Sequence, residues 1–332
     1  MAELSENPAY GFAIGRVRAL EGALLGRAQY DRLVRVGGVD EFASALGDAG
    51  YSRFFDGTPA AGSVEAALNS ALADYTAFFE QYALDPWLAR LFRLPSDIEN
   101  LKSAVKQSRI GVTGPQPVKG GEWSAAQLAA LVVGEKSPGV EPTVAVALRP
   151  LLGEPVVLDP VQIDGVLDRL EHDLSVAIAK PSPFLLGFFG LHADIENART
   201  AARLKVAGEP ASTIDGFLLS GGKVGGAQLR LAIAGDWDAF TYAFAGTAAA
   251  RVVEEGAARF ADSGTLLHWE RLGREAELAY LRGARYAVFG HEPLAAFHYY
   301  RLNELRNLRG LNAAHRSGLG IETTQELVAY VD

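Results

Sequence analysis

Cysteine is absent from the 332 residues, which excludes disulfides and thiolate metal ligands and fits a reducing compartment. Basic charge is in short supply, since 31 Lys and Arg stand against 40 Asp and Glu for a net charge of -9. That balance argues against a nucleic-acid backbone as partner, because displacing phosphate counterions needs a clustered basic surface. Long apolar runs are missing too. The most hydrophobic stretch, Phe184 to Leu191, falls short of the roughly 20 residues that a spanning helix requires, so any membrane contact is expected to be peripheral. The opening MAELSENPAYGF has neither a basic n-region nor an apolar core, and no signal peptide is expected.

Catalytic signatures are equally scarce. There is no Gly-x4-Gly-Lys-Ser/Thr loop, no His-Glu-x-x-His, no Gly-x-Ser-x-Gly elbow and no cysteine nucleophile. The six histidines are scattered. Only His291 and His298 share a helical face, with Pro293 between them, so neither a metal site nor a cofactor is expected. The carboxylates Asp97 and Glu99 fall at an expected helix start, where the helix dipole favours them without any acid–base role.

What is there is a threefold internal repeat. PWLARLFRLPSDIENLK (Pro86 to Lys102), PFLLGFFGLHADIENAR (Pro183 to Arg199) and PLAAFHYYRLNELRNLR (Pro293 to Arg309) align without a gap, each running from proline to an Asn-x-basic triplet. A second marker recurs, as GGEWSAAQL from Gly120 and GGKVGGAQL from Gly221. The likeness reads the glycine-rich GGKVGG as a helix-entry turn rather than a phosphate cradle. The period of roughly 100 residues suits tandem domains rather than a solenoid. Apolar residues recur at helical spacing, as in Leu68, Leu72, Tyr75 and Phe79, and no alternating β-branched run is present, so the chain is expected to be all-α with many short helices.

The expected divisions are an N-terminal helical segment 1–60 and helical units 61–140, 141–240 and 241–332. The first of these reads as a half-unit packing on another unit, because AIGRVRAL faintly echoes the repeat. In the first copy Pro95 is expected to end a short helix, with Ser96 and Glu99 forming a capping box for the next. Asn303 is the corresponding cap of the third copy. Each second half carries an apolar stripe: Ile98, Leu101 and Val105; Ile195, Ala198 and Ala202; Leu305 and Leu308. Asn100, Asn197 and Asn307 lie on one flank beside Asp97, Asp194 and Glu304, and Lys102, Arg199 and Arg309 lie across the stripe. The asparagines read either as ligands of nearby backbone within their own unit or as contacts at unit-to-unit seams. Phe184 to Leu191 reads as core, from its alignment with Trp87 to Leu94.

The opening YGFAIGRVRALEGALL, the DIENLK and DIENAR helices, LLSGGK and the closing ELRNLR come in an order that resembles the C-type subunit of V/A-type (vacuolar/archaeal-type) rotary ATPases, whose eukaryotic relative is the V-ATPase d subunit. The resemblance implies three similar helical domains about a pseudo-threefold axis, forming a funnel between the rotating central shaft and the membrane proteolipid ring. It implies a non-catalytic rotor component on the cytoplasmic face, serving ATP-linked ion transport, with the shaft and the ring as partners. On that reading Lys102, Arg199 and Arg309 face the funnel cavity and hold the shaft. The competing readings are a generic helical interaction scaffold and a helical enzyme with an unrecognised pocket.

Overall fold

The computed structural model describes residues 4–111, 118–153 and 160–330, without the side chain at 161, and among these there is no β-strand. In chain order the α-helices are α1 (Gly11–Glu21), α2 (Arg27–Arg35), α3 (Val39–Leu46), α4 (Val64–Tyr82), α5 (Pro86–Ile110), α6 (Ala125–Val132), α7 (Pro142–Leu152) and α8 (Pro160–Ile178). Then follow α9 (Pro183–Ala207), α10 (Gly226–Ala234), α11 (Trp237–Tyr242), α12 (Ala250–Ser263), α13 (Leu267–Leu281), α14 (Glu292–Arg316) and α15 (Ile321–Glu326).

The three sequence copies become three helices of 25 residues each, α5, α9 and α14. Proline at the first or second position presets the helical φ where no N–H is needed. Gly111 and Gly208, at φ 67 and 69, end α5 and α9 in the left-handed conformation that lets the chain turn away. The expected break at Pro95 is corrected: α5 runs through it, at the loss of the bond that an N–H there would donate one turn back. Ser96 is therefore no cap. It is buried inside α5 and its hydroxyl reaches the Lys119 carbonyl at 3.5 Å. Asn303 is likewise internal to α14.

Two compact units emerge, one of residues 85–181 and one of residues 1–84 with 182–332. In the first, the α5 stripe of Ile98, Leu101 and Val105 meets Trp123, Leu131 of α6, Val144 and Leu148 of α7, and Ile163 and Leu167 of α8. The larger unit holds two apolar clusters. One gathers Ile195, Ala198 and Ala202 of α9 with Leu229, Phe240, Val253 and Trp269 from α10 to α13. The other joins Leu305, Leu308 and Leu311 of α14 and Val328 to Leu33, Phe42 and Leu68 of α2, α3 and α4. Both ends of the chain therefore build this last core.

The boundaries expected at 60, 140 and 240 run through these cores. Val140 packs on the first cluster, Phe240 sits inside the second, and residues 25–71 share the third with 305–328. Around α14 pack α1, α3 and α4 from the N-terminal part of the chain, together with Val328 beyond α15. Phe184, Leu185, Phe188, Phe189 and Leu191 are all buried.

Candidate functional site: a carboxylate–asparagine clasp used three times

The polar flank of each long helix has one use, repeated. Asn100 donates from Nδ2 to the Val118 carbonyl at 2.9 Å and accepts the Val118 N–H at 2.7 Å. Asn197 holds both backbone groups of Leu219 at 3.0 and 2.8 Å. Asn307 holds both of Ala329 at 2.8 and 3.2 Å. A carboxamide suits this task because it offers a donor and an acceptor side by side, the complement of one peptide group.

One turn earlier, an acid takes a second backbone N–H. Asp97 accepts from Trp123 at 2.8 Å and Asp194 from Val224 at 3.1 Å. The glycine-rich markers fit these contacts. A Cβ on Gly121 or Gly222 would stand 2.5 or 2.6 Å from the Asp97 or Asp194 Oδ1, so only glycine lets the loop close on the acid. The markers then lead into α6 and α10, where Gln127 and Gln228 accept from the N–H of Ser124 and Gly225.

In the third copy the acid is Glu304, and its backbone ligand comes from the other end of the chain, the Leu25 N–H at 2.7 Å. Glu304 also accepts from the Tyr51 hydroxyl at 2.6 Å and from Arg301 at 2.7 Å. Arg301 lies 4.8 Å from the Tyr75 ring centre and 5.1 Å from that of Phe297. Burial opposes the Arg301 charge, but Glu304, Tyr75 and Tyr51 together outweigh it and raise the pKa. Burial, then Glu304, raises the Tyr51 phenol. In the first two copies burial raises the Asp97 and Asp194 carboxyls, against the Trp123 and Val224 amides. Asp97 has in addition the Arg90 guanidinium at 2.7 Å, itself 3.1 Å from Glu141.

The three basic residues are engaged across the stripe. Lys102 pairs with Glu99 at 2.8 Å and with Asp168 of α8 at 2.6 Å. Arg199 pairs with Glu196 and, at 2.9 Å, with Glu270 of α13. Arg309 donates to Asn69 of α4 at 2.9 Å and lies 3.8 Å from Glu65. Each strap joins a long helix to another helix on the same core. The asparagine bonds likewise run to backbone 18 or 22 residues further along, within one repeat.

Asn307 has one more neighbour, Arg274 of α13, whose Nη1 donates to it at 2.7 Å while Nη2 donates to the Leu327 carbonyl at 2.6 Å. Burial, then the nearby Arg306 charge, lowers the Arg274 pKa to about 10. Arg271 of the same helix reaches Glu326 of α15 at 2.9 Å. These arginines stitch the second and third cores of the larger unit. Sequence reasoning places the acids on the asparagine flank without giving them a ligand, and passes over Arg274. A peptide group leaves no residue signature to find.

Fold and clasps together define an all-α repeat protein in which long helices grip their own following loops by backbone recognition. The chain belongs to the ATP synthase (C/AC39) subunit family, whose family model matches residues 13–327. That family is an accessory, non-catalytic part of V/A-type rotary ATPases, and membership implies association with such a complex at a membrane. A search of curated protein sequences found no match. No described helix is long and apolar enough to cross a membrane.

Proposed function

We propose that the chain is the rotor component that couples the central shaft to the membrane proteolipid ring of a V/A-type rotary ATPase, transmitting torque for ATP-linked ion transport from the cytoplasmic face. The observation that carries this reading, beside family membership, is the clasp used three times. Torque through a helical body tends to shear its helices past the loops that follow them. Apolar packing resists that weakly because it is non-directional. Paired hydrogen bonds at fixed geometry resist it directly.

Three repeats of one design are also what a pseudo-threefold funnel around a shaft requires. In this reading Lys102, Arg199 and Arg309 are candidate shaft contacts, and a shaft carboxylate would have to compete with Asp168, Glu270 or Glu65. Arg309 is the best placed of them, with 39% of its side chain exposed and its nearest carboxylate at 3.8 Å. Affinity purification of the tagged chain from detergent-solubilised membranes tests the coupler role. Shaft proteins and proteolipid are expected in the eluate. Recovery of the chain alone, from membranes that retain an assembled ATPase, sinks the role.

A further inference from the structure

At one position the three copies differ in charge, since Glu99 and Glu196 align with Arg306. In α5 and α9 that acid pairs with the basic residue one turn on, Lys102 or Arg199, so each flank balances. In α14 an exposed arginine stands there instead, and it has no ion pair among the described residues. Arg309, without the acid its counterparts have, reaches Asn69 at 2.9 Å and the Glu65 carboxylate at 3.8 Å. Arg274 of α13 adds a further guanidinium to this flank. Its acceptors are all neutral: Asn307 at 2.7 Å, the Leu327 carbonyl at 2.6 Å and Asn303 at 3.5 Å. Burial and then Arg306 depress the Arg274 pKa, and the acids that oppose them, Glu277 and Glu270, are themselves held by His192 and Arg199.

The surplus charge lies on an outward face. At 100° per residue, Arg306, Arg309, Ala313 and Arg316 of α14 fall within about 80° of arc and along about 15 Å of helix. Arg306, Ala313 and Arg316 are exposed. Gly310 stands at the edge of this face, and a Cβ there would meet only the Leu327 Cβ, at 3.9 Å, so the packing of this chain does not call for glycine. Small residues at 310 and 313 let a second helix approach between the arginines. A row of cations along a helix suits a row of carboxylates at the same spacing. A small anion needs converging donors, which an outward helix face does not give.

We infer that the face of α14 carrying Arg306, Arg309 and Arg316 receives an acidic helix of the shaft, and that the third copy alone is built to do so. The inference rests on the coupler reading and deepens it. A coupler made of three like copies offers a shaft three near-equivalent seats. Reversing one charge in one copy singles out a seat and fixes the rotational register. Glu99 and Glu196, at the matching positions, repel the same acidic helix from the other two.

The single variant R306E tests it, because it restores the acid that the other two copies carry. Its carboxylate stands one turn before Arg309 and offsets the Arg274 charge, so the purified chain is expected to melt at or above the wild-type temperature by circular dichroism. In complexes purified from membranes at low salt, the same variant is expected to retain shaft proteins about fivefold less well, or worse. R306K is expected to retain them as wild type does. A photoactivatable cross-linking residue at position 313 identifies the occupant, and the adduct is expected in a shaft peptide that carries Asp or Glu at helical spacing. Equal retention of shaft proteins by wild type and R306E overturns the inference and leaves the coupler role standing. Absence of an adduct, or an adduct to proteolipid, does the same. A melt lowered by R306E also overturns it, since the arginine would then hold the fold and not a partner. Wild-type complexes that lack shaft proteins overturn the inference and the coupler role together.

Discussion

Asn197→Ala offers the most direct test of the clasp. The substitution removes two hydrogen bonds, at 3.0 and 2.8 Å, both to the single residue Leu219. At about 1 kcal/mol net for each bond, the loss is ~2 kcal/mol. Leu219 is half-buried, so water reaches its freed N–H and C=O and the full desolvation penalty does not add. Removal of the buried carboxamide leaves a small void, which brings the expected cost to about 2–3 kcal/mol. Urea denaturation of the full chain reads this as a lower midpoint with unchanged slope. Hydrogen exchange gives the local answer: the Leu219 amide is expected to exchange about 30-fold faster or more. Asn197→Asp keeps an acceptor for the Leu219 N–H but sets a second charged oxygen against its carbonyl, and is expected to lose at least as much. A cost below about 0.5 kcal/mol, or an unchanged Leu219 exchange rate, would refute the reasoning that the clasp holds the loop.

Glu304→Gln leaves the buried Arg301 guanidinium without its carboxylate and is expected to cost about 3–5 kcal/mol, with residues around Leu25 loosened first in limited proteolysis. Stability unaltered in thermal melts would show that the N-terminal segment does not depend on this acid. His192 supplies a pH test: burial disfavours its charged ring, but Glu277 at 2.7 Å outweighs that and raises the pKa to about 9. A histidine raised above its unfolded value of about 6.5 stabilises fully below that pH and loses the contribution as pH rises through about 9. With 34% of the His192 side chain exposed, screening reduces this to about 1 kcal/mol. Glu277→Gln should therefore trail wild type at pH 6 and approach it near pH 10, and a gap that persists unchanged at pH 10 counts against the pair.

The limits of legibility follow from which signals are periodic. Ile98, Leu101 and Val105, with their counterparts in α9 and α14, stand at helical spacing, and all are buried where the period puts them. Pro95 misleads because a local rule meets a helix whose apolar stripe and neighbours outweigh one lost bond. The partners of Asn100, Asn197 and Asn307 are hidden because a carboxamide recognises a peptide group, which every residue has.

Sequence alone determined the all-helical class, the three copies with their shared polar flank, and the family, since each is written in residue identity at fixed spacing. Tertiary structure decided what that flank grips, that Lys102, Arg199 and Arg309 are paired, and that residues 25–71 complete the core of α14. The physical reason is distance along the chain. Leu25 and Glu304 lie 279 residues apart, and only the folded backbone brings that N–H to that carboxylate.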